Sequence, residues 1–329
     1  MLLDRARPAA ALVALALVAC AGNDPHVSDA VWTRAETGTA GPVEETAQAG
    51  DPSPGGGRTS SAAALEPFVK KKAMAHVRKL ARDIGVRERA TPNEQRGARY
   101  VARKFRSFGY TVKIQKFGVD GGTSRNVVAS WPGGKRYGFV IGGHMDSVPG
   151  APGANDNASG TAVVIELARI FAGTDQAAFV KFVGFGSEEY GDDGRHHVGS
   201  RVYVKRLRQE GRSRLAGAIS VDMIADGRPL LVGNSGIADD VVARTFYRKI
   251  KKHGTNVRYH VLCDCSDHGP FEHAGIPAAF AYSGQESDYH SPSDTVVNLK
   301  PEDLLRTGRA VRAFVRAVDG AMLRRLRRH

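Results

Sequence analysis

From Glu66 onward, apolar residues recur at helical spacing: Phe68, Met74, Val77, Leu80 and Ile84 share one face, and Gly85 suits the end of that helix. A second helix is predicted over 93–108, with Ala98, Val101, Ala102 and Phe105 inward and Gly109 closing it. The period then changes. Residues 111–117 alternate, and 126–131 and 137–143 also read as strands, with Trp131-Pro132-Gly133-Gly134 as a hairpin-type turn between the last two. Beyond them, helices predicted at 159–171, 200–209 and 237–252 alternate with strands at 178–184, 217–221, 257–262 and 278–282. A closing helix is predicted over 301–323. This order predicts an α/β protein, a three-layer α/β/α sandwich with a mixed central β-sheet and helices on both faces.

The first 63 residues follow no such pattern. Arg5 and Arg7 precede an unbroken Ala, Leu and Val run over 9–19, too short to span a bilayer, which reads as an export signal. Leu17-Val18-Ala19-Cys20 resembles the bacterial lipoprotein cleavage box. The expected organisation is a signal peptide over 1–19, a disordered tether over 20–63 beginning at a lipidated Cys20, and a folded domain over 64–329. The alternative at this end is a plain secretory signal. Either way the protein is expected outside the cytoplasm, lipid-anchored to the cell membrane or secreted.

Composition narrows the class. The 329 residues are 42% hydrophobic, enough for a sizeable core. The net charge of +13 is concentrated in part in Lys70-Lys71-Lys72 and Arg324-Arg325-Leu326-Arg327-Arg328. No nucleic-acid-binding motif accompanies it, so it reads as a solvated basic surface. Three cysteines make no disulfide framework. Cys263-Asp264-Cys265 is a pair spaced too closely for an easy bridge, and a zinc ribbon would need a second pair.

Candidate chemistry lies where apolar runs stop. Gly142-Gly143-His144-Met145-Asp146, Gly186-Ser187-Glu188-Glu189 and Ser220-Val221-Asp222-Met223 each end a buried-strand pattern in acids or imidazole. In open α/β sheets ligands bind at the carboxyl ends of strands. Asp156 in Ala154-Asn155-Asp156-Asn157 and His290 in Asp288-Tyr289-His290-Ser291 complete a set suited to divalent metals, zinc first. His144 and Asp146 fall on one side of a strand, so Asp146 can accept the ring N–H of His144. Taken singly, each has a plainer explanation: a surface ion pair for His144 and Asp146, a helix N-cap for Asp156, solvated acids for Glu188 and Glu189.

Taken together, these motifs resemble the zinc aminopeptidases of peptidase family M28. The resemblance covers about 66–318 and includes the twelve-residue step from His144 to Asp156, Ser187-Glu188-Glu189, Asp222-Met223-Ile224, Ser266-Asp267-His268-Gly269-Pro270-Phe271 and Tyr289-His290-Ser291-Pro292. It implies two Zn2+ ions: one on His144 and Asp222, the other on Glu189 and His290, with Asp156 bridging them. It further implies Glu188 as general base acting on a metal-bound water, Asp146 orienting His144, and Tyr289 beside the developing oxyanion. The implied activity is hydrolysis of the N-terminal peptide bond of peptides. Beyond the resemblance, a monomer is expected, with membrane contact only through Cys20 and no nucleic-acid partner. Glutaminyl cyclase-like, carboxypeptidase-type and non-catalytic binding readings of the same fold stay open. The chain departs from the family pattern at Tyr190–Gly199, read as a longer polar loop whose His196 and His197 are solvated rather than metal ligands. It departs again at Cys265, where some relatives carry an arginine. His268 and His273 are expected to be structural.

Overall fold

The computed structural model describes residues 65–328, except 136–137, 192–193, 208, 228 and 285. The signal peptide, Cys20 and the tether lie outside the described residues.

The first helix, α1 (Lys70–Val77), continues through a wider turn over Arg78–Ile84 and stops at Gly85, whose φ of 83° favours glycine. Next comes α2 (Pro92–Ser107), capped by the Thr91 hydroxyl, which accepts the Glu94 N–H. Strands β1 (Thr111–Val119) and β2 (Gly122–Ser130) follow, joined through Asp120 and Gly121, both at positive φ. Such a two-residue turn matches the strand twist and fixes the hairpin register.

The remaining elements run in order: β3 (Gly138–His144), α3 (Gly160–Phe171), β4 (Val180–Phe185), α4 (Val198–Arg206), α5 (Gln209–Arg214), β5 (Leu215–Val221), β6 (Leu230–Asn234), α6 (Val241–Lys252), β7 (Val257–Val261), α7 (Gly269–His273), β8 (Ala278–Tyr282), α8 (Pro301–Arg316) and α9 (Gly320–Leu326). One eight-stranded sheet has the order β1-β2-β4-β3-β5-β8-β6-β7. Strands β4, β3, β5 and β8 run parallel, while β2 and β6 pair with them antiparallel. The sheet is mixed, as predicted.

Alternation along the strands builds two apolar layers. Phe139 and Ile141 of β3 join a large core with residues of α1, α2, α3, α6 and α8. Val140, between them, joins the opposite core with Tyr203 and Val204 of α4 and Phe271 of α7. Helices therefore cover both faces. Among the described residues, no helix is long and apolar enough to cross a membrane.

Four expectations are corrected. The turn at Trp131–Gly134 exists, with Gly134 N–H donating to the Trp131 carbonyl, but β2 and β3 are not a hairpin because β4 lies between them. The closing helix is two helices, and the second is capped by Asp319, which accepts the Met322 N–H at 2.7 Å. Strand β6 was not expected at all. The fourth concerns Cys263 and Cys265, which are joined in a disulfide: the loop after β7 bends enough to bring their Cα atoms to 5.1 Å, within the ordinary range for a bridge.

Candidate metal centre

Because β4, β3 and β5 are adjacent and parallel, their carboxyl ends open on one edge of the sheet. His144 is the last residue of β3, and Asp222 follows the last residue of β5. Glu188 and Glu189 lie just past β4, beyond Ser187 at φ 51°. Asp156 lies in the Ala154–Ser159 turn leading into α3, and His290 in the segment after β8. Met223 and His290 are also at positive φ, 47° and 54°. Left-handed backbone at non-glycine residues is unfavourable and tends to cluster at functional sites.

The structure brings all five sequence-predicted ligand residues together. His144 Nε2 is 3.1 Å from Asp156 Oδ1 and 3.4 Å from Asp222 Oδ1. His290 Nε2 is 3.3 Å from Asp156 Oδ2 and 3.1 Å from Glu189 Oε2. Asp156 thus stands between the two imidazoles, one oxygen toward each. Glu188 Oε2 is 3.8 Å from His144 Nε2. His290 is the exposed member, and the others are buried.

The surrounding backbone holds these groups. Asp294 accepts the N–H groups of both Asn155 and Asp156. Asn157 bonds the Val221 carbonyl through Nδ2 and the Gly160 N–H through Oδ1, tying the Asp156 turn to the strand that ends at Asp222. The Ser266 hydroxyl donates to Asp222 Oδ2 at 2.8 Å, leaving Oδ1 toward His144. Asp146 Oδ2 accepts the Glu189 N–H at 3.1 Å, while its Oδ1 stands 3.6 Å from His144 Nδ1, beyond hydrogen-bond length. Tyr289 stacks on the His290 ring with centroids 3.7 Å apart.

Two buried arginines frame the site and were missed in the sequence. Arg87 is fully buried and donates to the carbonyls of Met145, Pro152 and Gly153, gathering both site loops. Arg89 donates to the carbonyls of Glu189 and Arg195 and pairs with Asp120. Nothing in their spacing distinguishes them from surface arginines. The Tyr190–Gly199 segment is therefore corrected as well. Its described residues are anchored: Tyr190 stacks on His196, and His197 is buried. His268 stacks on Phe280, and exposed His273 pairs with Asp264 at 2.7 Å.

The electrostatics favour cations. Burial pushes Glu188 well above the usual carboxylate range and Glu189 up to about 8, with neighbouring acids adding to both. Burial also raises Asp222. For Asp156 burial acts upward too, but hydrogen bonds and charge from His144 and His290 outweigh it and hold the group low. Burial lowers His144, yet Asp222, Glu188 and its other acidic neighbours carry it well above its ordinary value. Four carboxylates crowd two imidazoles, and like charges this close do not all ionise without a counter-ion.

The donor set fits a metal on a second observation. His144 Nε2, Asp222 Oδ1 and Glu189 Oε1 are buried without a hydrogen-bond partner. Donor atoms of His144, Glu188 and Asp222 lie within 4.8 Å of one another, as do those of His144, Asp156 and Glu189. Buried polar atoms left unpaired are costly, and a coordinated ion would satisfy them.

An acid and imidazole pocket at the carboxyl edge of a mixed sheet defines a class of α/β protein with a candidate metal centre. The comparisons narrow it. The model of peptidase family M28 matches residues 126–315, and the chain belongs to that family. It is 32% identical over 237 residues to leupeptin-inactivating enzyme 1 of Streptomyces exfoliatus, covering 64% of this chain and 52% of that one. It is 32% identical over 180 residues to the probable lipoprotein aminopeptidase LpqL of Mycobacterium tuberculosis, covering 50% and 35%. The chain thus spans about half, or less, of these curated relatives. Among solved structures, a zinc aminopeptidase from Bacillus subtilis superposes with a TM-score of 0.71 at 20% identity, over 79% of this chain and 97% of that one, a likeness of fold.

Proposed function

We propose that this protein is a di-zinc metallo-exopeptidase that removes residues from the N-terminus of peptides. The observation that carries the reading is Asp156, whose two oxygens face His144 and His290 separately, at 3.1 and 3.3 Å. A carboxylate so placed suits a bridge between two ions, with His144 and Asp222 holding one and Glu189 and His290 the other. The names of the relatives, aminopeptidases among them, support the same reading.

Bound zinc would supply Lewis acidity, polarising the scissile carbonyl and lowering the pKa of water toward neutrality. Glu188, whose donor atom also lies within 4.8 Å of those of His144 and Asp222, is assigned here as the base and not as a ligand. It takes a proton from the attacking water as the oxygen bonds to the carbonyl carbon, then gives it to the departing amine as the C–N bond breaks. Asp146 holds the Glu189 backbone and stands behind His144. Tyr289, stacked on His290, is assigned the role of stabilising charge developing on the carbonyl oxygen.

The charges the site offers support recognition of the N-terminal end. The buried guanidinium groups nearby, Arg87 and Arg89, are turned to backbone carbonyls and to Asp120. Neither is presented to a terminal carboxylate, whereas an acid-rich pocket suits a terminal amine. Zinc-reconstituted protein should therefore cleave peptides with free N-termini and leave blocked ones intact. Cleavage of blocked peptides alone, or cyclisation of N-terminal glutamine without hydrolysis, would overturn the assignment.

For the N-terminal region, the reading is export followed by lipid anchoring at Cys20, with the catalytic domain working outside the cytoplasm as a monomer. The lipoprotein name of the mycobacterial relative supports it. Metabolic labelling with a fatty-acid probe should mark the wild type and not Cys20→Ala.

A further inference from the structure

The loop between Glu189 and α4 carries a histidine to which the chemistry above gives no part. His197 meets Glu188 twice. Its backbone N–H donates to the Glu188 carbonyl at 2.6 Å, and its Nε2 lies 3.0 Å from Glu188 Oε1. Both side chains are buried, at 3% and 7% exposure. In the ionised form that a general base needs, Glu188 only accepts, so in that form the hydrogen of this contact sits on His197 Nε2. Glu188 Oε2 is the oxygen left on the His144 side.

His197 is itself held. Its φ of 53° sets the turn into α4, and its carbonyl accepts the Arg201 N–H and the Ser200 hydroxyl. His196 Nδ1, 3.0 Å from the same Nε2, is then a second acceptor of that N–H, and the His196 ring stacks on Tyr190, the residue after Glu189, with centroids 4.5 Å apart. The far end of the segment thus brings an imidazole against Glu188, just before its start.

We propose that His197 is a positioning residue for Glu188: it fixes Oε1 and so presents Oε2 to the reacting water. The proposal rests on Glu188 being the general base. A glutamate side chain has several rotamers, and one ordered before substrate arrives loses no further freedom as the proton moves. Donation to Oε1 also leaves a single oxygen available for that transfer.

The test compares zinc-loaded wild type with His197→Phe, His197→Leu, His197→Gln, Glu188→Gln and the Glu188→Gln/His197→Phe double variant. Removing the donor in His197→Phe or His197→Leu should lower kcat about 10- to 100-fold. KM, zinc content and the thermal midpoint should stay near wild type. His197→Gln, which keeps a side-chain N–H, should recover most of kcat. In the Glu188→Gln background the second substitution should cost nothing further. A crystal structure of whichever apolar variant folds should show the Glu188 carboxylate in more than one rotamer. Wild-type kcat in both apolar variants, an undiminished penalty in the Glu188→Gln background, or Glu188 still in one rotamer would overturn the proposal. Full activity of Glu188→Gln would instead overturn the base assignment.

Discussion

Asp294 Oδ2 accepts the backbone N–H of Asp156 at 3.0 Å, from 138 residues further along the chain. Its other oxygen accepts the Asn155 N–H at 2.7 Å, and its carbonyl accepts the Ala154 N–H at 3.2 Å. One buried acid thus carries the turn that presents the proposed bridging carboxylate. Asp294→Ala would strand two buried donors, costing about 1–3 kcal/mol each. We expect lower stability in urea, and zinc affinity reduced about 10- to 100-fold, as is usual when the support of a ligand is removed. Titration with a competing chelator measures the second effect.

Glu188→Gln keeps the shape and hydrogen-bonding reach of the side chain while removing its basicity. Zinc content should be unchanged, and kcat should fall about 10²- to 10⁴-fold. Metal analysis beside steady-state kinetics checks both, and wild-type turnover would reject the assignment.

Gly160 begins α3 where the helix meets the end of β5. A methyl group there would collide with the Val221 carbonyl oxygen and with Asn157 Oδ1. Backbone cannot yield as a flexible side chain does. Gly160→Ala should therefore cost about 1–3 kcal/mol of stability and move Asp156 relative to Asp222. Thermal unfolding with and without zinc would show a larger deficit in the loaded form, because both proposed ligands flank the contact.

His76, on α1, is buried with its Nδ1 2.6 Å from the Tyr100 hydroxyl. Burial, helped by the positive charge of Lys104 and Arg169, pushes the imidazole down to about 4. An unfolded histidine takes its proton near 6.5. The folded state therefore binds fewer protons between those values. The contribution is fully present above pH 6.5, is lost as pH falls toward 4, and amounts to at most about 3 kcal/mol. His76→Phe should have a flatter stability profile than wild type over pH 4–6.5 in denaturant titrations. Equal slopes would contradict the assignment.

Much of the candidate site was legible because its residues end apolar runs. His144, Glu188 with Glu189, and Asp222 each follow a strand core, and parallel pairing of β3, β4 and β5 then makes them neighbours. Asp156 and His290 sit in turns; the sequence marked both as completing the set, but their separate roles depended on resemblance to a family. The supporting groups were not legible. Arg87 and Arg89 look like any basic residue until burial and carbonyl partners are known, and His197 looks solvated until its loop is folded. The fold was misread where pairing is non-local. Nothing near Trp131–Gly134 announces that β4 will insert between β2 and β3. The five residues of β6 make too short a run to separate from a loop.

Zinc-edge anomalous diffraction from reconstituted crystals tests the central claim most directly. The account expects two peaks about 3.5–4 Å apart, one contacting His144 and Asp222, the other Glu189 and His290, with Asp156 touching both. It also expects both to fade in Asp156→Asn. A single peak, or a pair that leaves Asp156 uncoordinated, would contradict it.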